Sequence, residues 1–111
     1  MSAISGAFDV GSPLYAPIAT QTSGATIISG VTGRKLRVMS MNVIASIAVN
    51  VKWQTQTGPA DLTGFAYLAT NGGYILPYNQ IGWFETLAGD SLNINLSAGI
   101  SVGGSLTFVT F

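Results

Sequence analysis

The sequence predicts an all-β fold: an antiparallel β-sandwich of jelly-roll type, preceded by an extended N-terminal arm. Three observations carry this. First, apolar and polar residues alternate in several short runs, most clearly where Val49, Val51 and Trp53 interleave with Asn50, Lys52 and Gln54. Strand side chains alternate between faces, so such a run is a strand with one dry face and one wet face. Second, Gly, Asn and Pro recur between the runs, and these are the residues that tight turns require. Third, no stretch sustains the 3.6-residue period of a helix. The 111 residues suffice for one domain with a buried core.

Residues 1–24 stand apart as an arm. They contain Pro13 and Pro17 among several Gly and Ser. Proline lacks an amide hydrogen and fixes φ, which excludes a helix or a central strand. Scattered apolar residues make the stretch too apolar for a plain disordered tail. Phe8, Leu14, Tyr15 and Ile18 are its expected anchors, docking on a neighbouring subunit or on the arm's own domain, with a mobile terminus as the alternative.

Residues 25–111 are expected to form the sandwich. Residues 25–29 read as a short strand, and Gly30 and Gly33 bracket a turn before Arg34. Residues 35–44 and 48–56 read as two longer strands with a reversal at Ala45, Ser46 and Ile47; a single bent strand is the alternative. Gly58 and Pro59 break the run, and residues 62–68 form a weaker strand. Asn71, Gly72 and Gly73 make a strong turn signal, because Asn and Gly tolerate positive φ. Residues 74–78 follow as a strand placed at an edge, or ended, by Pro77; residues 83–86 form a short one. Gly89 and Asp90 turn into residues 91–97, where Leu92, Ile94 and Leu96 alternate with Asn93 and Asn95. Residues 105–111 form the last strand. About eight short strands at this spacing suit a sandwich or jelly roll.

Charge is scarce. Only 7% of residues are charged, against about 25% in an average soluble domain, while 48% are hydrophobic. Arg34, Lys35, Arg37 and Lys52 balance Asp9, Asp61, Glu85 and Asp90, for a net charge of zero. Soluble domains use charge to stay apart, and charge depletion marks interface cores. The composition therefore points to an obligate oligomer, with a monomer coated in Ser, Thr, Asn, Gln and Gly as the bland alternative. A neutral chain lacks the basic patch that nucleic acid demands, and Arg34, Lys35 and Arg37 read as a solvated strand entrance. No apolar run approaches the roughly 18 residues that a membrane helix needs, so no membrane partner is expected. The N-terminus lacks the pattern of a secretion signal, so no export by the general pathway is expected.

No catalytic constellation emerges, and neither an enzyme nor a cofactor is expected. The chain has no Cys and no His. That removes thiolate chemistry, the usual general base and the commonest metal ligand. The many serines lack an activating partner. Gly103 and Gly104 have no following Lys or helix to make a phosphate loop. Glu85 and Asp90 could be a carboxylate pair of the kind that cleaves glycosides. The plainer reading puts Glu85 at a strand end and Asp90 in a turn. Asp61 stands alone, and Asp90 has only Asn93 and Asn95 nearby, too little for calcium.

Aromatic residues offer another possibility. Trp53, Tyr67, Tyr74, Tyr78, Trp83 and Phe84, with Asn71, Asn79 and Gln80, could form a sugar-stacking platform. The favoured reading instead puts Trp53 and Phe84 in the core. Tyr74, Tyr78 and Trp83 then line a subunit interface, with glycan binding as their alternative role.

The segment from Gly33 onward resembles small virion proteins of tailed bacteriophages, of the capsid decoration (cement) or head-fibre-like type. The matching stretches begin with Gly33-Arg34-Lys35-Leu36-Arg37-Val38, Leu62-Thr63-Gly64 and Asn71-Gly72-Gly73. The most distinctive is Tyr78-Asn79-Gln80-Ile81-Gly82-Trp83-Phe84-Glu85-Thr86-Leu87-Ala88-Gly89-Asp90-Ser91-Leu92. Leu96-Ser97-Ala98 and Val102-Gly103-Gly104-Ser105-Leu106 complete it, and residues up to about 30 lie outside it. The resemblance implies a β-sandwich that forms a homotrimer and binds the major capsid protein on the outer surface of the virion, after synthesis in the host cytoplasm. A trimeric fibre or spike component that binds host-surface glycan is the alternative it allows.

Overall fold

The structure, a computed structural model, describes residues 13–111. Ten strands run in chain order: β1 (Leu14–Thr20), β2 (Thr26–Ile28), β3 (Leu36–Ala45), β4 (Val49–Thr55), β5 (Ala60–Asp61), β6 (Ala66–Leu68), β7 (Gly73–Leu76), β8 (Phe84–Glu85), β9 (Leu92–Leu96) and β10 (Val102–Thr110). Two antiparallel sheets pack face to face. The first runs β1-β10-β3-β7, with β8 also on β3; the second runs β2-β9-β4-β5, with β6 also on β4.

The order is that of a jelly roll. β5 and β6 are two pieces of one edge along β4, and β7 and β8 are two pieces of one edge along β3. Counted that way, the first strand pairs with the eighth, the second with the seventh, the third with the sixth and the fourth with the fifth. This is a long hairpin rolled so that each half contributes to both sheets.

Three features depart from the sequence reading: the run expected at 62–68 is a strand only at Ala66–Leu68, with β5 before it at Ala60–Asp61; the last strand begins at Val102 rather than 105; and the supposed arm is part of the sandwich. Leu14–Thr20 is an integral strand, paired over its whole length with β10 from Leu14↔Phe108 to Thr20↔Val102. The sandwich therefore begins at residue 14, not 25. Pro17 is accommodated because β1 lies at the sheet edge, where one side of the backbone needs no partner. Ile18 points inward and is 1% exposed.

The remaining strands follow their alternation. Leu36, Val38, Met41 and Val43 of β3 face Val49, Val51 and Trp53 of β4 across the core, joined by Leu92, Ile94 and Leu96 of β9 and by Leu106 and Phe108 of β10. Each such buried side chain stabilises the fold by about 1.5–3 kcal/mol. Thr107 pairs with Ser40 and Phe108 with Val38, so Met39 is the extra residue of a β-bulge. The reversal at Ala45–Ile47 carries the chain from one sheet to the other, and the bent-strand alternative falls away. Asn71 adopts φ 58° in the turn before β7. Gly73 then lies so close to β3 that a Cβ there would collide with the Val43 carbonyl oxygen.

Trp53 occupies the centre, with no exposed surface. Its ring stacks on Phe84 at 6.2 Å between centroids, and its Nε1–H donates to the Tyr74 hydroxyl at 3.1 Å. Tyr74→Phe leaves that indole N–H without its acceptor. A loss of about 1–3 kcal/mol is expected, read as a lower urea midpoint at unchanged slope.

Candidate functional site

The two outer faces differ. On the second sheet, Asn50, Lys52 and Gln54 of β4 lie beside Asn93 and Asn95 of β9. Lys52 Nζ sits 3.1 Å from Asp61, Gln54 Nε2 donates to Asp61 at 2.8 Å, and Lys52 also lies over the Phe65 ring. Tyr67 is the one strongly exposed aromatic among the described strand residues of that sheet. This is an ordinary wet face.

The outer face of the first sheet mixes apolar with uncharged polar residues across its central rows. Its register places Pro17, Ser105, Asn42 and Ile75 in one row across four strands. Ala19, Gly103, Ile44 and Gly73 form the next row, and Tyr15, Thr107 and Ser40 form one on the other side. None of these residues is charged. Two shallow depressions of about 500 and 220 Å³ share Asn42 and Ile75 and open on this face.

At one margin the face rises into a ridge. After β7 the chain leaves the sheet at Pro77 and returns at β8, but remains tied to β3. Asn79 N–H donates to Met39 O, and Trp83 N–H donates to Val38 O. Gly82 N–H closes a turn on Asn79 O, and the Asn79 side-chain oxygen accepts from Ile81 N–H at 2.9 Å. Gly82 takes φ 92°, which favours glycine, and the Arg37 side chain fills the space a Cβ would need. Trp83 Nε1–H donates to Pro77 O at 2.8 Å, clamping the ends of the excursion together. The result is a loop tied to β3 and closed on itself that holds apolar side chains outward. Ile75 is 75% and Ile81 80% exposed, with Tyr78 and Trp83 beside them.

Under the ridge lies a cleft of about 240 Å³ lined by Arg37, Ile81, Gly82, Trp83, Phe84 and Glu85. Its polar wall is an ion pair: Arg37 Nε and Nη2 donate to Glu85 Oε1 at 3.2 and 3.0 Å, and Lys35 Nζ lies 3.4 Å from Oε2. The Arg37 guanidinium also stacks 4.3 Å above the Phe111 ring.

The structure distributes the expected contact residues unevenly. Phe8 lies outside the described residues. Ile18 belongs to the core and has no surface to offer a capsid or subunit, whereas Leu14 is half exposed and Tyr15 82% exposed. Of the interface or glycan residues, Tyr78 and Trp83 sit together on the ridge, but Tyr74 points inward to Trp53. Burial pushes the Tyr74 phenol above its ordinary range. Trp53 and Phe84 are the packed pair the sequence implied. In a sugar platform at Asn71–Trp83, the Asn79 side-chain oxygen and the Trp83 indole N–H are already engaged in the loop itself. Ile44, Ile75 and Ile81, which are exposed, were not singled out as surface residues by the sequence reading. The signal for Ile81 was present, because it follows Asn79-Gln80 and precedes Gly82, at a turn's tip.

The two carboxylates once paired as candidate catalysts do separate structural work. Glu85 pairs with both Arg37 and Lys35. Asp90 is buried and accepts from Thr55 Oγ1 at 2.7 Å, Thr57 N–H at 2.8 Å and Thr57 Oγ1 at 2.7 Å. These bonds, led by Thr55, hold the Asp90 carboxyl below the usual carboxylate range. Bonds from Gln54 and Lys52 lower that of Asp61 likewise. A carboxylate whose folded pKa is depressed contributes stability that is present above its unfolded value, near 3.9, and lost as pH falls through the folded one. Thermal stability is therefore expected to hold from neutral pH to about 5 and to fall below about 4. Asp90→Asn should melt lower at neutral pH and show a shallower acid decline.

No family model matches the chain, and no curated protein matches it.

Proposed function

We propose that this chain is a structural subunit of a tailed-bacteriophage virion, a homotrimeric cement protein that decorates the outer surface of the capsid and binds the major capsid protein. One observation carries the reading: the outer face of the first sheet and its ridge expose Tyr15, Ile44, Ile75, Tyr78, Ile81 and Trp83, and no charged residue lies in the central rows of that face. A lone soluble domain rarely exposes an apolar patch beyond about 300–600 Å². A subunit that covers this face in an assembly has no such liability. The jelly-roll sandwich is an architecture used in viral shells, which agrees with the reading at the level of analogy.

A decoration protein gains avidity from many weak, symmetric contacts on a repeating lattice, so a shallow face serves better than a deep pocket. Residues 1–12, including Phe8, add a further anchor in this proposal, beside Leu14 and Tyr15 at the start of β1. The function is neither catalytic nor cofactor-dependent.

The test is thermal. Shells of the phage that encodes this protein, heated with and without the purified protein, should resist disruption to a higher temperature when it is bound. Equal resistance in both samples overturns the cement role. Binding of the protein to host cells in place of shells would favour a glycan-binding fibre component.

A further inference from the structure

We propose that copies of this chain associate head to tail, with Tyr15 on the β1 margin of one copy inserted into the Arg37–Trp83–Glu85 cleft of the next. This rests on the assembly reading above and names the partner, a second copy, and the two unlike surfaces that meet.

Three features of the molecule lead there. The first is an uncharged edge. β1 presents seven residues at the margin of its sheet, and its sequence, Leu-Tyr-Ala-Pro-Ile-Ala-Thr, contains no charge. Edges are normally blunted by Lys, by Pro, by bulges or by a covering element. Among the described residues Pro17 alone does so here, which leaves Leu14 and Tyr15 open to a partner.

The second is a match of knob and hole. Tyr15 is 82% exposed and stands on the outer face opposite Thr107. The cleft at the other margin holds about 240 Å³, room for an aromatic side chain. Its walls are apolar at Ile81 and Trp83 and polar at the Arg37–Glu85 pair. Tyrosine has the same division, with an apolar ring and a hydroxyl that seeks a partner. Tyr15 cannot fill its own cleft, because β10 and β3 lie between β1 and β8, a distance of roughly 14 Å at sheet spacing.

The third is the geometry of repetition. The knob and the hole lie on opposite margins of one sheet, so every copy carries both halves of the contact. Such a heterologous contact closes into a ring when the rotation between copies permits, and a three-membered ring is the trimer proposed above. The β1 margin offers a contact line of roughly 23 Å along its seven residues.

The test uses two variants of the full chain and their mixture, followed by sedimentation velocity. Wild type should sediment as a trimer. Tyr15→Arg and Ile81→Glu should each sediment as monomers with near-native melting, since both side chains are exposed. Mixed in equal amounts, they should form heterodimers, because one intact margin meets one intact ridge. Tyr67→Arg, equally exposed on the other sheet, should remain trimeric. Monomeric or dimeric wild type, Tyr15→Arg that assembles normally, or a mixture that stays monomeric would each overturn the head-to-tail contact. Shell binding is scored separately: shells that bind a monomeric wild type would sink the ring and leave the decoration role standing.

Discussion

Trp53→Ala should cost about 3–5 kcal/mol, a large part of the 5–15 kcal/mol that holds a small domain together. The side chain has no exposed surface. It fills the space between the sheets from β4, stacks on Phe84 of β8 and donates to Tyr74 of β7. Truncation opens a cavity that these neighbours, fixed on short edge strands, can collapse into only in part. The loss should appear in urea unfolding as a lower midpoint. Because Phe84 and Tyr74 frame the root of the ridge, the variant should also lose self-association before it loses the bulk of its β-structure. Trp53→Phe keeps most of the packing but gives up the hydrogen bond, and should fall between wild type and alanine.

Two N-terminal truncations should behave very differently. Removing residues 1–24 deletes β1, with Ile18 from the core, and bares the edge of β10 where Leu106 and Phe108 pair with it. At least about 3 kcal/mol should go with Ile18 and the neighbours it covers. The protein is expected to aggregate or to melt far below wild type, because a long apolar strand then stands at an open edge. Removing residues 1–12 alone should leave the melting temperature nearly unchanged while weakening attachment to shells. A 1–24 truncation that melts like wild type would refute the placement of β1. A 1–12 truncation that binds shells at full strength would refute the anchoring role of that segment, Phe8 included.

The contrast between these truncations shows where the sequence was legible. β4 and β9 announce themselves, because every second residue is apolar and both strands have one wet face. The turns at Asn71-Gly72-Gly73 and Gly89-Asp90 were equally plain, since few residues tolerate the backbone angles they need. β1 was hidden by Pro13 and Pro17. The rule that proline leaves sheets is a rule about central strands, and only the partner strand, β10, tells that β1 lies at an edge. That pairing is separated by more than eighty residues, beyond the reach of local pattern. β5 and β8, of two residues each, are too short to show any period.

The candidate surface was half legible for the same reason. Tyr78 and Trp83 drew attention as aromatics beside Asn and Gly. Tyr74 belongs to the same stretch, yet alternation alone sends it inward. Ile44 and Ile75 look like core residues until the register puts them on the outside of their sheet. Charge scarcity was visible from composition, but its concentration mattered more. Lys35, Arg37 and Glu85 gather at one corner, and Lys52 and Asp61 on the opposite sheet. Only the fold reveals that the central rows of the first sheet's outer face, away from Arg37 and Glu85, carry none.

The central claim, that this face exists to join an assembly on a capsid, is tested most directly by co-sedimentation of the purified protein with empty, expanded capsids of its phage. Saturable binding at a fixed ratio to the major capsid subunit is the expected result, with Ile81→Glu reducing it. Protein that stays in the supernatant at every concentration, with wild type and Ile81→Glu indistinguishable, would contradict the account.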